Sequence, residues 1–177
     1  MLMTVEELKK YIQTDVAEEV LAAKLSALEL LIRQYTNNNF QMAGIRRNAD
    51  IVGGEFIVNS TVPFKVGDTV QVSVSVLNRG LYTVSEVAEH SFKVKENEEL
   101  TYETNVLVTR VDYPLDVKLG AASMLDWELK NQDKVGIASE TLSRHSVSYA
   151  DPNGDNYVMG YPKALTGFLK VYKKARF

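Results

Sequence analysis

The first 43 residues carry their hydrophobic side chains at helical spacing. Between positions 21 and 35 these side chains are separated by four or three residues, at Leu21, Leu25, Leu28, Ile32 and Tyr35. This spacing predicts a long helix with one buried face. The spacing of Thr4 and Glu7 is that of a capping box, which predicts a short helix at the start of the chain. The same spacing recurs at Asp15 and Glu18, ahead of the long helix. A run of asparagines, which tolerate left-handed torsions, predicts the end of the long helix near Asn39.

From Gly44 the hydrophobic period changes to two. Fourteen of the 22 valines lie in residues 44–111, and those at positions 70, 72, 74 and 76 alternate with polar residues. This alternation is typical of a strand with one buried and one exposed face. Similar segments between turn signals predict five short strands, at residues 55–58, 70–76, 81–87, 92–94 and 106–111. We expect these strands to close or half-close into a small barrel, which removes exposed edges.

The helical period returns after Pro114, a residue that suits the first turn of a helix. This third helix is predicted to end near residues 131–133, with an apolar stripe at Leu115, Leu119, Ala122, Leu125 and Leu129. Gly120 weakens it by about 1 kcal/mol unless close packing requires the missing side chain. Residues 136–149 are rich in Ser and Thr and predict a hairpin or an extended arm. A last helix starts at Pro162 and presents Leu165, Phe168, Leu169 and Tyr172.

Together these elements predict an α+β protein in two parts. Residues 1–43 and 112–177 are expected to form one discontinuous helical domain, a small bundle of about four helices. Residues 44–111 are expected to form an inserted domain, a small antiparallel five-stranded β-barrel. The two parts differ in period and in valine content, whereas charge does not mark the boundaries between them.

The amino-acid composition excludes or disfavours several classes of function for this protein. The chain of 177 residues has no cysteine and two histidines, which excludes disulfide scaffolds, thiolate zinc sites, cysteine nucleophiles and His-rich metal cages. A net charge of -3 argues against nucleic-acid binding through overall charge. No apolar run approaches the roughly 18 residues of a membrane span, and the first residues lack a signal peptide's apolar core. We therefore expect a soluble, cytosolic protein with no membrane contact.

No catalytic, cofactor-binding or metal-binding residue is predicted. The acidic turn at residues 151–155 resembles the start of a calcium loop, but Asn156 stands where glycine is needed and Pro162 where glutamate is needed. His145 lies near serines without a nucleophile elbow, and His90 lies in a turn, so surface roles are favoured for both. Solvated faces are likewise favoured for the basic clusters at Arg46, Arg47, Lys170, Lys173, Lys174 and Arg176. The residues alone indicate a non-enzymatic binding or assembly protein.

Two segments at the ends of the chain resemble a known family. The first runs Thr4-Val5-Glu6-Glu7-Leu8-Lys9-Lys10-Tyr11 and continues to Ile32-Arg33-Gln34-Tyr35-Thr36-Asn37-Asn38-Asn39-Phe40. The second has Gly120-Ala121-Ala122 and Trp127, then Ser139-Glu140, Ser146-Val147-Ser148-Tyr149, Tyr161-Pro162 and the ending Tyr172-Lys173-Lys174-Ala175-Arg176-Phe177. In order and content these segments are similar to the head-tail connector proteins, also called adaptor or head-completion proteins, of bacteriophages and prophages with long non-contractile tails.

The chain departs from that family in two places. Residues 44–111 replace a much shorter connection, and they resemble small SH3-like barrels in Val66-Gly67-Asp68-Thr69-Val70 and Arg79-Gly80-Leu81-Tyr82-Thr83-Val84. Where the family often has a glycine and an acidic residue in its hairpin, this chain has Ser143-Arg144-His145. The chemistry of the contact made by this hairpin is therefore expected to differ.

The resemblance implies a structural virion protein. Its copies would form a ring, a dodecamer in this family, under the portal at the head-tail interface after assembly in the host cytoplasm. The ring would extend the DNA exit channel, without sequence-specific DNA binding, and attach the stopper or tail-completion protein. The residues implied in contact with a neighbouring subunit or the portal are Ser139, Glu140, Arg144, His145, Ser146, Val147, Ser148 and Tyr149. Those implied in portal docking are Tyr172, Lys173, Lys174, Arg176 and Phe177.

A different class of function competes with this one. A monomeric SH3-like module with helical flanks would bind a peptide or a nucleic acid and would not form rings. A small hydrolase is disfavoured, because the sequence displays no convergent acid and base groups. Oligomeric state separates the connector from the module.

Overall fold

The structure is a computed structural model that describes residues 1–131, 139–142, 145–148 and 156–175. The chain divides into two compact units. The first, here the barrel unit, consists of Met1 and Asn39–Tyr113. The second, here the helical unit, consists of Leu2–Asn38 and Pro114–Phe177.

The barrel unit is a closed antiparallel barrel of six strands. Its strands are β1 (Gln41–Val52), β2 (Glu55–Ile57), β3 (Thr69–Ser73), β4 (Gly80–Val87), β5 (Ser91–Val94) and β6 (Glu103–Val111), in the order β1-β2-β5-β4-β3-β6. Strand β6 pairs with both β3 and β1 and so closes the sheet on itself. Phe56 stacks on Phe92 in the interior with ring centroids 4.7 Å apart, and Phe64 meets Phe92 edge-on at 5.2 Å. The interior is thus filled by side chains, as in other small barrels.

The helical unit contains two long helices and several short elements. Its helices are α1 (Val5–Leu8), α2 (Glu18–Thr36), α3 (Leu115–Asn131) and α4 (Lys163–Thr166), the last continued by a 3-10 turn at Gly167–Tyr172. Two antiparallel hairpins belong to the same unit, one of β7 (Ser139–Leu142) with β8 (His145–Ser148) and one of β9 (Tyr157–Val158) with β10 (Tyr161–Pro162).

The predicted fold class is wrong. The described chain is mostly β, with a six-stranded closed barrel and four helices of which α1 and α4 have one turn each; it is not a helical bundle with a five-stranded, SH3-like barrel. The strand missing from the prediction is β1, whose first eight residues are exposed or half-exposed. The pairing of β1 is interrupted by two register shifts. Hydrogen bonds to β6 therefore define this strand, rather than the apolar alternation by which strands are recognised in a sequence.

The helix ends agree only in part with the predicted signals. Thr4 caps α1 as predicted, its hydroxyl accepting from the Glu7 N–H at 3.1 Å. The second box is wrong, because Ala17 precedes α2 and offers no capping oxygen, while Glu18 forms an ion pair with Lys9 at 2.6 Å. The long helix ends at Thr36, and the next residue, an asparagine, adopts the expected left-handed torsions.

Helix α3 is rotated relative to the predicted stripe. Ala122 and Leu125 are buried as predicted, but Leu115 and Leu119 are exposed. The core-facing positions are instead Val117, Ala121, Ala122, Met124 and Leu125. Close packing accounts for Gly120, because a Cβ there would lie 2.2 Å from the Phe168 ring.

Candidate assembly surfaces

The basic segment predicted for portal docking begins on the surface of the helical unit, against the end of α2. The Tyr172 hydroxyl donates to the Asp116 carboxylate at 2.7 Å, which raises the pKa of Tyr172. The Lys174 N–H donates to the Thr36 carbonyl at 2.8 Å, one of the carbonyls that a helix end leaves unpaired. Asn38 donates from its amide side chain to the Tyr172 carbonyl at 3.1 Å. The backbone at 172–174 is thus part of the fold.

Two lysine side chains of this segment remain on the surface. The Lys173 ammonium lies 3.8 Å above the centre of the Tyr35 ring, a cation–π contact. Lys174 is exposed, and both lysines line a cleft of about 520 Å³. Arg176 and Phe177, the other two residues predicted for docking, lie outside the described residues.

The hairpin predicted to contact a neighbour consists of β7 and β8. Ser139 pairs with Ser148 and Glu140 with Val147, and the ladder closes at Leu142 with His145. The described residues supply no third strand to this sheet. Within the part of the chain that the structure describes, the outer backbone groups of both strands therefore have no strand partner. Arg144 and Tyr149 lie outside the described residues.

A second cleft of the helical unit, here the aromatic cleft, lies between the segment after α1 and helix α3. It has a volume of about 590 Å³ and is lined by Lys10, Tyr11, Ile12, Leu119, Ala122, Ser123, Asp126, Trp127, Lys130, Asn131 and Leu165. The Trp127 ring packs against those of Tyr157 and Tyr161, with ring centroids 6.2 and 5.8 Å away. The lining of the cleft therefore combines apolar side chains with polar ones, and two of its charges, those of Lys130 and Asp126, form an ion pair at 2.7 Å.

A partly buried polar network lies beside the aromatic cleft. The Tyr161 hydroxyl and the Lys24 ammonium both donate to the Glu128 carboxylate. Burial and the bond to Glu128 raise the pKa of Tyr161. Although burial opposes it, these two hydrogen bonds hold the pKa of Glu128 below its usual value. The hydrogen bond to Glu128 holds the Tyr161 ring beside the indole of Trp127.

In the barrel unit, an apolar loop between β3 and β4 is the surface that sequence reasoning missed. Because Val74 and Val76 alternate with serines, the sequence predicts that they continue the strand, yet β3 ends at Ser73. Both valines are exposed, at 73% and 90% of their full area. The signal that could have found them is the run Val76-Leu77, which breaks the alternation directly before the Asn78 turn.

The described residues contain no group of three or more acidic or histidine side chains arranged to hold a metal ion. His90 is exposed and lies 3.8 Å from Glu89, and Arg47 donates to the carbonyl of Arg46 at 2.8 Å.

None of the helices described is both long and apolar enough to cross a membrane. No protein-family model and no curated protein matches the sequence.

Proposed function

We propose that the protein is a structural head-tail connector of a tailed bacteriophage or prophage. Copies assemble into a ring under the portal, at the head-tail interface of the virion. The ring lengthens the DNA exit channel and carries the stopper or tail-completion protein. The protein does no catalysis in this role.

The observation that carries the proposal is the two-stranded sheet of β7 and β8. An isolated two-stranded sheet is marginal in water, and its open edges pair readily with another chain. A ring gives each hairpin such a partner, because every subunit has a neighbour on both sides. The sequence supports the same role, since Ser139-Glu140 and Ser146-Val147-Ser148-Tyr149 are among the segments that resemble connectors.

The charge of the chain suits a channel through which DNA slides. A net charge of -3 gives a ring no overall attraction for phosphates, so DNA passes without being held. The exposed lysines at 173 and 174 provide local positive charge for docking on the portal. Because the Lys174 N–H is bonded to the Thr36 carbonyl at the end of α2, the backbone of this segment is held in place.

The hairpin is tested by replacing residues 139–149 with a flexible Gly/Ser linker of equal length. We expect the variant to fold, by circular dichroism, and to appear as monomers in negative-stain images in which the wild-type protein forms rings. The matched control is Thr141→Ala with Ser146→Ala, which keeps the paired backbone and should still form rings. Rings of the linker variant would contradict the assignment of the hairpin.

Portal docking is tested by charge reversal that spares the fold. Lys174→Glu with Arg176→Glu should abolish binding to the portal protein of the same virion, measured by co-sedimentation, while the backbone bond to Thr36 remains. Lys163→Glu, an exposed cation at the start of α4, is the control and should bind normally. Unchanged binding of the double variant would contradict docking through this segment.

A further inference from the structure

The cleft at the end of α2, here the basic cleft, combines two lysines with an apolar wall. It has a volume of about 520 Å³. Its apolar part is formed by Leu31, Tyr35 and Met159, all of them half-buried. Lys173 and Lys174 also line it, and the remaining lining side chains are neutral amides. The cleft therefore offers hydrophobic surface and positive charge to the same ligand.

The positive charge of the basic cleft is not neutralised by the fold. No Asp or Glu is among the described residues that line it. Within the described ranges neither Lys173 nor Lys174 forms an ion pair, whereas Lys130 of the aromatic cleft is paired with Asp126. Because a cleft lined by charges of one sign focuses their field, the basic cleft attracts an anionic group.

The two lysine side chains are not needed to cap α2. The backbone N–H groups of Asn37 and Asn38 donate to carbonyls of the last turn of this helix, at 3.3 and 3.2 Å. The Thr36 carbonyl accepts from the Lys174 backbone N–H at 2.8 Å. Since backbone groups supply these hydrogen bonds, both ammonium groups can bind another molecule.

The backbone around the basic cleft is fixed on both sides. Asn37 donates from its side chain to the Ala175 carbonyl at 2.8 Å, and Asn38 donates to the Tyr172 carbonyl at 3.1 Å. Met159 lies in the two-residue turn between β9 and β10, and its φ of 57° is the positive value that a tight hairpin turn requires. A cleft whose walls are already in place loses less entropy when it binds a ligand.

A nucleic acid does not suit the basic cleft. Single strands are bound largely by stacking of their bases on aromatic rings. Tyr35 is the aromatic residue of the lining, and the Lys173 ammonium covers one face of its ring at 3.8 Å. The net charge of -3 also opposes a long polyanion.

A short acidic peptide with apolar side chains fits both parts of the basic cleft. Its carboxylates match the two ammonium groups, and its apolar side chains match Leu31 and Met159. The volume of about 520 Å³ is more than three times the roughly 150 Å³ that encloses one benzene, so the cleft admits more than one side chain. Methionine suits such a wall because its flexible side chain adapts to different partners.

We propose that the basic cleft binds an acidic, apolar peptide segment of the portal protein. A carboxylate of the segment pairs with Lys173 and Lys174, and a neighbouring apolar side chain packs on Leu31 and Met159. This inference rests on the portal docking proposed above and names the chemistry of the partner at that site. The charges select and orient the segment, and burial of its apolar side chain contributes most of the affinity.

Three acetylated and amidated pentapeptides serve as probes. Glu-Leu-Glu-Phe-Glu has both features, Gln-Leu-Gln-Phe-Gln lacks the charge, and Glu-Ser-Glu-Ser-Glu lacks the apolar side chains. Binding is followed by NMR of the protein with carbon-13 in its methionine methyl groups, and Met159→Leu identifies the signal of Met159 among the five methionines. We expect the first peptide to shift this signal saturably and the other two to bind about tenfold more weakly.

Variants of the lysines test the charge directly. Lys173→Gln with Lys174→Gln should weaken binding of the first peptide about tenfold. Lys163→Gln with Lys170→Gln, exposed cations outside the cleft, is the matched control and should bind normally. The first peptide should also compete with the portal protein in co-sedimentation, and no competition at saturating peptide would contradict the portal as the source of the segment.

The outcomes separate this inference from portal docking itself. If the neutral peptide binds as tightly as the acidic one, the role of the lysines in the cleft is wrong and docking on the portal stands. If an oligothymidine strand shifts the Met159 signal at lower concentration than the acidic peptide, the cleft is a nucleic-acid site instead. If Lys174→Glu with Arg176→Glu binds the portal normally while the acidic peptide still binds the wild-type cleft, the proposed docking is wrong and the ligand class of the cleft stands.

Discussion

Replacing Gly120 by alanine has two opposing effects on the free energy of unfolding, and the size of each can be estimated. Alanine favours the helical conformation of α3 by about 1 kcal/mol. Its Cβ, however, would lie 2.2 Å from Cε1 and Cζ of the Phe168 ring and 2.7 Å from Cδ1. Since carbon atoms pack at about 3.5 to 4.0 Å, the ring must move by more than about 1 Å. Forced repacking of this kind costs about 1 to 3 kcal/mol, so we expect a net destabilisation of about 1 kcal/mol.

Urea unfolding followed by tryptophan fluorescence measures this cost in the helical unit, because Trp127 is the single tryptophan of the chain. Gly167→Ala is the matched control. Gly167 has helical torsions and open space around it, so alanine there should stabilise the protein by about 0.4 to 1 kcal/mol. In a Phe168→Ala background, Gly120→Ala should also become stabilising. A Gly120→Ala protein more stable than the wild type would refute the packing argument.

Three other predictions concern single residues. Asn78→Ala leaves the backbone N–H of Thr101 without its partner and should lower the free energy of unfolding of the barrel by about 2 kcal/mol in a urea titration; no change would mean that water replaces the side chain. The hydrogen bond from the Ser75 hydroxyl, together with those from the neighbouring loop residues, lowers the pKa of Glu103 from 4.5 to about 2. The contribution of the Glu103 carboxylate to stability is therefore present above pH 4.5 and lost as the pH falls towards 2. Glu103→Gln should weaken this acid dependence of the unfolding temperature, and an identical pH profile would contradict it. Ala17→Ser adds the missing cap of α2 and should raise stability by about 1 kcal/mol by calorimetry, whereas a lower melting temperature would argue against the cap geometry.

Elements whose burial is periodic could be predicted from the sequence. The long helix was predicted because Leu21, Leu25, Leu28 and Ile32 all face the core. Its left-handed end at Asn37 was predicted because local torsional preference and helix geometry agree there. The energetic cost of open edges predicted a closed or half-closed sheet, and the structure shows a closed one with a sixth strand.

Elements defined by long-range pairing could not be predicted in this way. Strand β1 takes its conformation from hydrogen bonds to β6, so its own polar sequence carries little signal. Helix α3 contains two overlapping apolar stripes, and only tertiary packing selects Val117 over Leu115. At Val74 and Val76 the alternation of a strand continues into a loop, because Glu103 fixes a different backbone path.

The candidate assembly surfaces differ in how well the sequence predicts them. The hairpin at 139–148 was suggested by its Ser/Thr content and alternation, and the basic ending by its charge. The aromatic cleft depends on residues far apart in the chain, from Lys10 to Leu165, so no local pattern indicates it. We propose contact with a second molecule for the hairpin and for the basic ending.

The most direct test of the proposed connector role is the mass of the purified protein in solution, measured by size-exclusion light scattering with and without the portal protein of the same virion. The account predicts a closed ring of many subunits that co-elutes with the portal. A mass of one chain at all concentrations, unchanged by the portal, would contradict it.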